Sequence, residues 1–372
     1  MHKAGLIVNP LAGIGGKVGL KGSDGETVVA EAIKRGGKSE ASNRAETAIK
    51  ELIILGNEIM FVTASGSMGE NQAKKLGFAT KVVCYCEDGC TSSVDTQNAA
   101  EAILKKGVDL LLFAGGDGTA RDIYSQIKDQ LPVIGIPAGV KIHSAVYANT
   151  PKSAGVAAFR FLMNNNNGLI DGEVMDLDEN LYRQGIINTK LFGYMKVPSN
   201  EKRMQNAKTR SSSSQETLNG IGTDIINNMQ ADVYYVIGAG STTQAITKIL
   251  GIESTLIGVD VLYNRKLVKR DASEKDLLDI VSGNRTKIVL TAIGGQGHVL
   301  GRGNQQISPM VIREVGVDNI IIIATMEKLL GIKGRKLLTD TGDLELDVSL
   351  SGYKRVVTGI NERVICALES EE

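Results

Sequence analysis

A chain of 372 residues is longer than one hydrophobic core usually supports, so the sequence predicts at least two domains. Its 42 basic and 42 acidic residues give a net charge of zero, which removes any whole-chain electrostatic reason to expect nucleic acid or an anionic membrane as partner. Aromatic residues make up 4% and tryptophan is absent, so we expect an aliphatic core without the aromatic platforms of single-strand binders.

The N-terminal segment, MHKAGLIVNPLAG, has only a short apolar stretch, which predicts neither a signal peptide nor a transmembrane helix. We therefore expect a cytoplasmic protein. Three of the four cysteines fall in CYCEDGC, as Cys84, Cys86 and Cys90. No second half of a zinc site accompanies them, so structural thiols are favoured over a metal site or a disulfide.

The first 150 residues alternate apolar runs with helical segments. Strands are predicted at 4–8, 58–64, 81–85, 108–114 and 132–138, and helices at 41–55, 95–106, 119–130 and 154–164. Apolar strands separated by helices are typical of a parallel sheet that is covered on both faces. The fold class predicted here is an α/β domain.

Beyond this region the pattern changes and then returns to α/β character. The sequence predicts three parts: an α/β domain over 1–155, a second α/β domain with glycine-rich loops over 156–332, and an antiparallel β tail over 333–372 that packs on either domain. The stretch 201–217 is basic, then serine-rich and nearly free of apolar residues. We expect it to be exposed, either as a plain flexible loop or as a lid.

Four glycine-rich segments follow or adjoin predicted strands. They are NPLAGIGGKVGLKGSDG (9–25), GGDGT (115–119), GAGSTT (238–243) and GGQGHVLGRGNQQ (294–306). Glycine at a strand end lets backbone N–H groups approach an anion, and the next helix adds its positive end. Four such turns favour nucleotide binding over simple turn chemistry.

Two nucleotide-binding fingerprints are not met. Gly16-Lys17 is followed by Val18 where a P-loop needs serine or threonine, and the same valine stands where the third glycine of G-x-G-x-x-G belongs. The sequence therefore disfavours an ordinary NAD-dependent dehydrogenase.

Asp117 stands inside the GGDGT turn, at the predicted carboxyl end of strand 108–114. A carboxylate among phosphates is repelled unless it orients Mg²⁺ or accepts a proton from an attacking hydroxyl, so its presence indicates phosphoryl transfer. The alternative is a turn residue that caps its own helix.

The GGDGT motif resembles the superfamily of NAD kinases, diacylglycerol kinases and sphingosine kinases. NPLAG resembles the Asn-Pro-x-x-Gly that opens those kinase domains, and GIPAGVKIHSAVYA stands where they carry a glycine loop after the next strand. VGLKGSDG, FAGGDGTARDI and GGQGHVLGRGNQQISP together are similar to the ATP-NAD kinase-like or AcoX-like branch.

The resemblance implies transfer of the terminal phosphate of ATP, or of polyphosphate, to a hydroxyl, with Mg²⁺ accompanying the donor. With NAD as substrate the acceptor is the adenosine ribose 2′-OH. Carried over from GGDGT, Asp117 is the catalytic base or hydroxyl-orienting group. Gly115, Gly116, Gly118 and Thr119 hold phosphate, and Asn9 lines the neighbouring strand end.

The sequence also departs from the NAD kinase pattern. Where NAD kinases carry an Asn-Glu pair, this chain reads HSAVYANTP, and Asn361-Glu362 comes far too late to replace it. The second half has α/β character instead of being built mainly from strands. The identity of the acceptor therefore stays open.

Further candidate ligand contacts lie outside GGDGT. His143 is a candidate hydrogen-bond donor and Arg121 a candidate phosphate neutraliser. In the second region the candidates are Gly238, Gly240, Ser241 and Thr242 in one turn, and Gly294, Gly295, Gln296, Arg302 and Gln305, beside His298, in the other. The alternatives are a packed histidine, a solvated arginine and helix capping by Ser241 or Thr242.

Three functional hypotheses follow. The first is an NAD kinase, the second a kinase for another soluble hydroxyl metabolite, and the third a nucleotide-binding regulator without chemistry. A lipid substrate ranks lower because no basic amphipathic helix is present. We expect small-molecule nucleotides as partners, without nucleic acid or membrane, and the resemblance implies a homo-oligomer.

Overall fold

The computed structural model describes most of the chain. The described residues are 1–20, 26–87, 91–139, 142–163, 168–177, 189–199, 204, 214–293, 297–332, 334 and 336–370. The chain forms two compact units. The first comprises Met1–Ile14, Gly22–Lys34 and Lys38–Ala207, and the second comprises Gly15–Lys21, Arg35–Gly37 and Lys208–Glu372. These units divide the chain at other positions than 155 and 332, and the three-part division stays a prediction.

The first unit alternates strands and helices as the sequence predicts. Its elements are β1 (His2–Val8), α1 (Glu26–Lys34), α2 (Ala41–Lys50), β2 (Ile59–Ala64), α3 (Glu70–Lys75), β3 (Ala79–Cys84), α4 (Ser93–Leu104), β4 (Leu110–Gly115), α5 (Asp117–Ile127), β5 (Val133–Pro137), α6 (Pro151–Met163), β6 (Leu169–Leu177) and β7 (Thr189–Pro198).

Five parallel strands form the sheet of the first unit, in the order β3-β2-β1-β4-β5. Every residue of β4 is buried, because a central parallel strand is covered on both faces. The helices pack in pairs, α2 with α6 and α4 with α5. Strands β6 and β7 form a separate antiparallel pair that contacts α5.

The strand order of this sheet predicts the position of a ligand-binding crevice. Strands β2 and β3 lie on one side of β1 in the sheet, and β4 and β5 lie on its other side. The connections after neighbouring strands β1 and β4 therefore lead to opposite sides, and open α/β sheets bind ligands at such a switch point, outside the carboxyl ends of the strands. Asn9 follows β1, and the GGDGT turn begins at the end of β4.

The second unit is also α/β. Its elements are α7 (Gln215–Asn227), β8 (Tyr234–Ile237), α8 (Ser241–Ile249), β9 (Asp260–Tyr263), β10 (Lys266–Lys269), α9 (Glu274–Val281), β11 (Thr286–Thr291), β12 (His298–Leu300), α10 (Pro309–Val315), β13 (Ile320–Ile323), α11 (Met326–Gly331), β14 (Lys336–Thr339), α12 (Leu344–Leu350), β15 (Gly352–Gly359) and β16 (Glu362–Ser370).

Nine strands form the mixed sheet of this unit, in the order β10-β9-β8-β11-β13-β15-β16-β14-β12. Strands β8, β11 and β13 run parallel side by side, and β9 runs antiparallel to β8. From β8 the chain goes to β9 on one side and later to β11 on the other. The carboxyl ends of β8 and β11 therefore flank a second switch point.

The C-terminal segment joins the sheet of the second unit. Within the predicted β tail, β15 and β16 pair antiparallel, and β14 pairs in parallel with β16. One part differs from the strand prediction, because Leu344–Leu350 is helical. The carboxylate of Asp343 accepts the Leu346 N–H and caps that helix, a local signal that outweighs the period-two pattern.

Candidate functional site

Asp117 is buried in the first turn of α5, where the positive end of the helix stabilises a carboxylate. Its side chain does not cap its own helix. Oδ2 accepts the His143 backbone N–H at 2.7 Å and lies 3.1 Å from His143 Nδ1. Oδ1 accepts the Ser144 backbone N–H at 3.0 Å and lies 2.7 Å from the Ser144 hydroxyl. The structure thus brings Asp117 and His143 together.

The loop after β5 is held by the same contacts. The Ser144 hydroxyl also lies 2.8 Å from the Met175 carbonyl oxygen and accepts the Met175 N–H at 3.0 Å. Tyr147 donates its hydroxyl to the Gly116 carbonyl oxygen. The Asp117 carboxylate therefore sits in a frame built from three segments of the first unit.

Asn9 connects the two sides of the first switch point. Its backbone N–H donates to the Ala114 carbonyl at 2.9 Å, and its side-chain amide donates to the Thr119 hydroxyl at 3.0 Å. Its Oδ1 accepts the Leu11 N–H, which fixes the start of the NPLAG turn. Asn9 thus lies at the carboxyl end of β1 with the buried Thr119 beside it, and its role in ligand binding stays a prediction.

The glycines of GGDGT allow close packing. A Cβ on Gly115 would collide with the Thr119 side chain, and a Cβ on Gly139 would lie 2.7 Å from the Gly116 Cα. Neither Gly115 nor Gly116 has a positive φ. The approach of Gly116 to Gly139 brings the loops after β4 and β5 together. Gly118 lies in the first turn of α5, and phosphate binding by these residues stays a proposal.

Arg121 lies one turn into α5 and is paired with carboxylates. Its Nη1 donates to Asp176 Oδ2 at 2.6 Å, its Nη2 lies 3.3 Å from Asp122 Oδ1, and its guanidinium lies 5.9 Å from the Phe192 ring centroid. Asp176 is buried, and no local sequence pattern pairs it with Arg121 because the two residues are 55 positions apart. Arg121 therefore also serves to tie α5 to β6 and β7.

The GAGSTT turn of the second unit connects β8 to α8. Gly240 is the N-cap residue, with a φ of 135° that L-residues rarely adopt, and no side chain of the described residues caps the helix. Ser241, which is exposed, and Thr242, which is buried, are the first two residues of the helix, and neither side chain forms a cap hydrogen bond. A Cβ on Gly238 would lie 3.0 Å from Leu290 Cδ2, so this glycine permits close strand packing.

Lys328 was not found by sequence reasoning. It lies in α11, and its Nζ donates to the Thr291 hydroxyl at 3.3 Å and to the Thr242 hydroxyl at 3.5 Å. Burial lowers the pKa of its ammonium to about 8. No sequence motif marks a lysine that is brought to two hydroxyls by strand order alone.

The loop after β11 lies only partly within the described residues. Gly294, Gly295 and Gln296 lie outside them. Arg302 is buried, and its Nε lies 3.4 Å from Asp340 Oδ2, so it forms an ion pair with the segment after β14. His298 is buried in β12, and Gln305 follows it in the same loop.

Two other predictions concern side features. Cys84 and Cys86 are free thiols with their sulfurs 3.9 Å apart, and burial together with Cys84 raises the pKa of Cys86 to about 12, whereas Cys90 lies outside the described residues. In 201–217, Met204 is buried and α7 begins at Gln215, while 201–203 and 205–213 lie outside the described residues. Within the described chain no helix is long and apolar enough to span a bilayer.

Within the described segments the side chains do not form a complete set of protein ligands for Mg²⁺. The described chain contains no group of three His, Cys, Asp or Glu side chains placed to hold a metal ion. Four contacts already occupy the Asp117 oxygens, about the full lone-pair capacity of a carboxylate. Asp117 as arranged here does not fit as a direct magnesium ligand.

Two family models match the chain. The ATP-NAD kinase N-terminal domain matches residues 4–165, and the ATP-NAD kinase C-terminal domain matches residues 230–368. These matches define a phosphotransferase that acts on an alcohol group. Because the two models together cover most of its length, the chain belongs to the ATP-NAD kinase family, and the NAD kinase resemblance and the α/β fold class are confirmed. A search of curated proteins and one of solved structures found no match. The AcoX-like branch stays a prediction.

Proposed function

We propose that this protein transfers the terminal phosphate of ATP to the adenosine ribose 2′-OH of NAD and so forms NADP. Both family models, with ATP-NAD kinase descriptions, support an ATP-dependent NAD kinase-like activity. The particular acceptor is our inference. The observation that supports phosphate transfer to a hydroxyl is the position of the Asp117 carboxylate. It is buried at the switch point of the first unit and is held by donors from the next loop.

Asp117 acts in this proposal on the acceptor hydroxyl. The contact of His143 Nδ1 with Oδ2, at 3.1 Å, is the longest of its four contacts. A substrate hydroxyl that replaces the His143 ring at Oδ2 would transfer its proton to the Asp117 carboxylate or be oriented by that carboxylate. The two backbone N–H groups and Ser144 would keep the carboxylate in place. General base catalysis requires such hydrogen-bond reach.

His143 has a positioning role in the same scheme. Its backbone N–H holds Asp117 in every state, and its ring leaves Oδ2 when the hydroxyl arrives. Replacing the ring should therefore disturb the reaction less than replacing the carboxylate.

The donor in the proposal is ATP with Mg²⁺. Since Asp117 does not fit as a direct ligand, Mg²⁺ would be held mainly by the phosphate oxygens and water, as this ion often is in nucleotide sites. We also propose a homo-oligomer in the cytoplasm. The exposed apolar side chains of β6 and β7 support self-association; they include Leu169, Ile170, Phe192 and Tyr194.

The test is release of ADP from ATP and Mg²⁺ with NAD, followed by a panel of polyols and nucleosides. We expect turnover with NAD, and a loss of about 10²–10⁴-fold in kcat for Asp117→Asn. An asparagine offers one acceptor oxygen where the aspartate has two, so it also disturbs the loop at His143 and Ser144. Thermal unfolding and ATP binding must therefore be measured on the same variant.

Asp109→Asn is the matched control, because Asp109 is exposed at the amino end of β4 and accepts the Lys3 N–H, which an amide oxygen also accepts. It should leave kcat unchanged. Turnover with a polyol and not with NAD would contradict NAD as the acceptor and identify a polyol in its place. Binding of ATP without ADP release from any acceptor would favour the regulator, and equal kcat in wild type and Asp117→Asn would remove Asp117 from the mechanism.

A further inference from the structure

The second switch point carries converging positive charge. Thr242 lies in the first turn of α8, Thr291 ends β11, and Lys328 lies in α11, directly after β13. Because β8, β11 and β13 are parallel neighbours, these three side chains meet at the carboxyl edge of the sheet. That edge is where open α/β sheets bind their ligands.

Helix α8 directs backbone N–H groups to this edge. Gly240 is its N-cap, and a Cβ there would lie 2.7 Å from the Thr291 methyl group. The Thr243 hydroxyl donates to the Gly240 carbonyl and does not accept from the helix N–H groups. With no capping side chain in the described chain, the first turn presents the positive end of the helix dipole.

Lys328 is the second, independent observation. Lys328 is half-buried, and its ammonium points to Thr242 and Thr291. Desolvation there lowers its pKa to about 8. Those hydroxyls are its hydrogen-bond partners, and no carboxylate of the described residues forms an ion pair with it. A desolvated ammonium beside a positive helix end is unfavourable unless an anion joins it.

We propose that Thr242, Thr291, Lys328 and the first turn of α8 bind the phosphate group of a phosphate monoester. A tetrahedral dianion accepts from several directions, and this cluster offers an ammonium, two hydroxyls and helix N–H groups. The inference rests on the second unit alone and goes beyond the proposed function, because it holds whichever hydroxyl the enzyme phosphorylates.

The test uses the full chain and inorganic phosphate, followed by calorimetry and by thermal unfolding. We expect phosphate to raise the Tm of the wild type, and Lys328→Met to weaken phosphate binding about tenfold or more, as loss of a charge-assisted hydrogen bond does. Lys248→Met is the matched control, since Lys248 is exposed in the last turn of the same helix. It should bind phosphate like the wild type.

The same variants separate binding from support of the fold. In phosphate-free buffer, Lys328→Met should keep or raise the Tm, because a desolvated charge has been removed. A lysine with a purely structural role would lower the Tm and leave the phosphate affinity unchanged. Equal affinity of wild type and Lys328→Met overturns the proposal.

Further probes identify the ligand. Dimethyl phosphate carries one charge and no monoester, so binding as tight as that of inorganic phosphate overturns the monoester assignment. A nucleoside 5′-monophosphate that binds more tightly than a sugar phosphate, with the gain lost in Lys328→Met, supports the site and identifies a nucleotide as its source. The reverse order supports the site with a sugar phosphate as its source.

Discussion

The two units each contain a switch point, and the two switch points carry opposite charge. At the first, a buried carboxylate accepts from two backbone N–H groups and contacts a hydroxyl and an imidazole. At the second, a half-buried ammonium faces two hydroxyls and the start of a helix that no described side chain caps. Both lie at carboxyl ends of parallel strands.

The difference separates two kinds of chemistry. A carboxylate that is held by donors is satisfied in the structure as it stands and is suited to handle a proton or a hydroxyl. An ammonium that lacks an anionic partner gains energy when an anion arrives. The same position in a sheet thus supports a proton-handling site in one unit and an anion site in the other.

Removing each charge in turn is expected to have the largest effect, because each substitution should impair a different activity. Asp117→Asn should lower kcat by about 10²–10⁴-fold and leave phosphate binding to the second unit intact. Lys328→Met should weaken that binding about tenfold or more while Asp117 and its contacts stay in place. Steady-state kinetics and calorimetry on both variants check this, and a loss of phosphate binding in Asp117→Asn would contradict it.

The pH dependence of stability sharpens the comparison next. Burial lowers the pKa of folded Lys328 from 10.5 to about 8, so the unfolded chain binds more protons between these values. The penalty is fully present below pH 8 and is relieved as the pH rises toward 10.5. Lys328→Met should therefore be more stable than the wild type at pH 7 by at most about 3 kcal/mol.

Chemical denaturation of both proteins at pH 7 and pH 10 measures this effect. The groups that face the ammonium are the hydroxyls of Thr242 and Thr291, which do not titrate in this range. A stability difference that stays constant from pH 7 to pH 10 would mean that Lys328 is not desolvated.

Substitutions that disturb the close backbone contact between the loops after β4 and β5 are expected to have a smaller effect, on the free energy of unfolding. A Cβ on Gly139 would lie 2.7 Å from the Gly116 Cα, whereas one on Gly116 would lie 3.3 Å from the Gly139 Cα. Gly139→Ala should cost about 1–3 kcal/mol of unfolding free energy, and Gly116→Ala less. Urea denaturation compares them, and the reverse order would contradict the packing described here.

The smallest expected effect belongs to Thr119→Val, which keeps the shape and removes the acceptor of the Asn9 amide. We expect a loss of about 1 kcal/mol, because the partly buried amide then lacks this partner. Thr47→Val is the control, since that exposed hydroxyl donates only within its own helix. Equal stability of the two variants would show that the Asn9 contact contributes nothing.

Much of the fold followed from the sequence because its determinants are local. Apolar runs of strand length separated by helical segments predicted the alternation in both units, and the run 108–114 with its GGDGT turn placed Asp117 at a strand end. The Leu344–Leu350 helix escaped the prediction because a period-two pattern competed there with the capping signal of Asp343.

What surrounds these residues was decided by the tertiary structure. Asp117 meets His143 and Ser144 only because β5 lies beside β4 and returns its loop to the same edge. Thr242 and Lys328, which are 86 positions apart in the sequence, meet because β8, β11 and β13 lie side by side in the sheet. Local periodicity fixes which residues form strands, whereas strand order fixes which side chains meet and which charges become buried, so the partners of both charges became visible only in the folded chain.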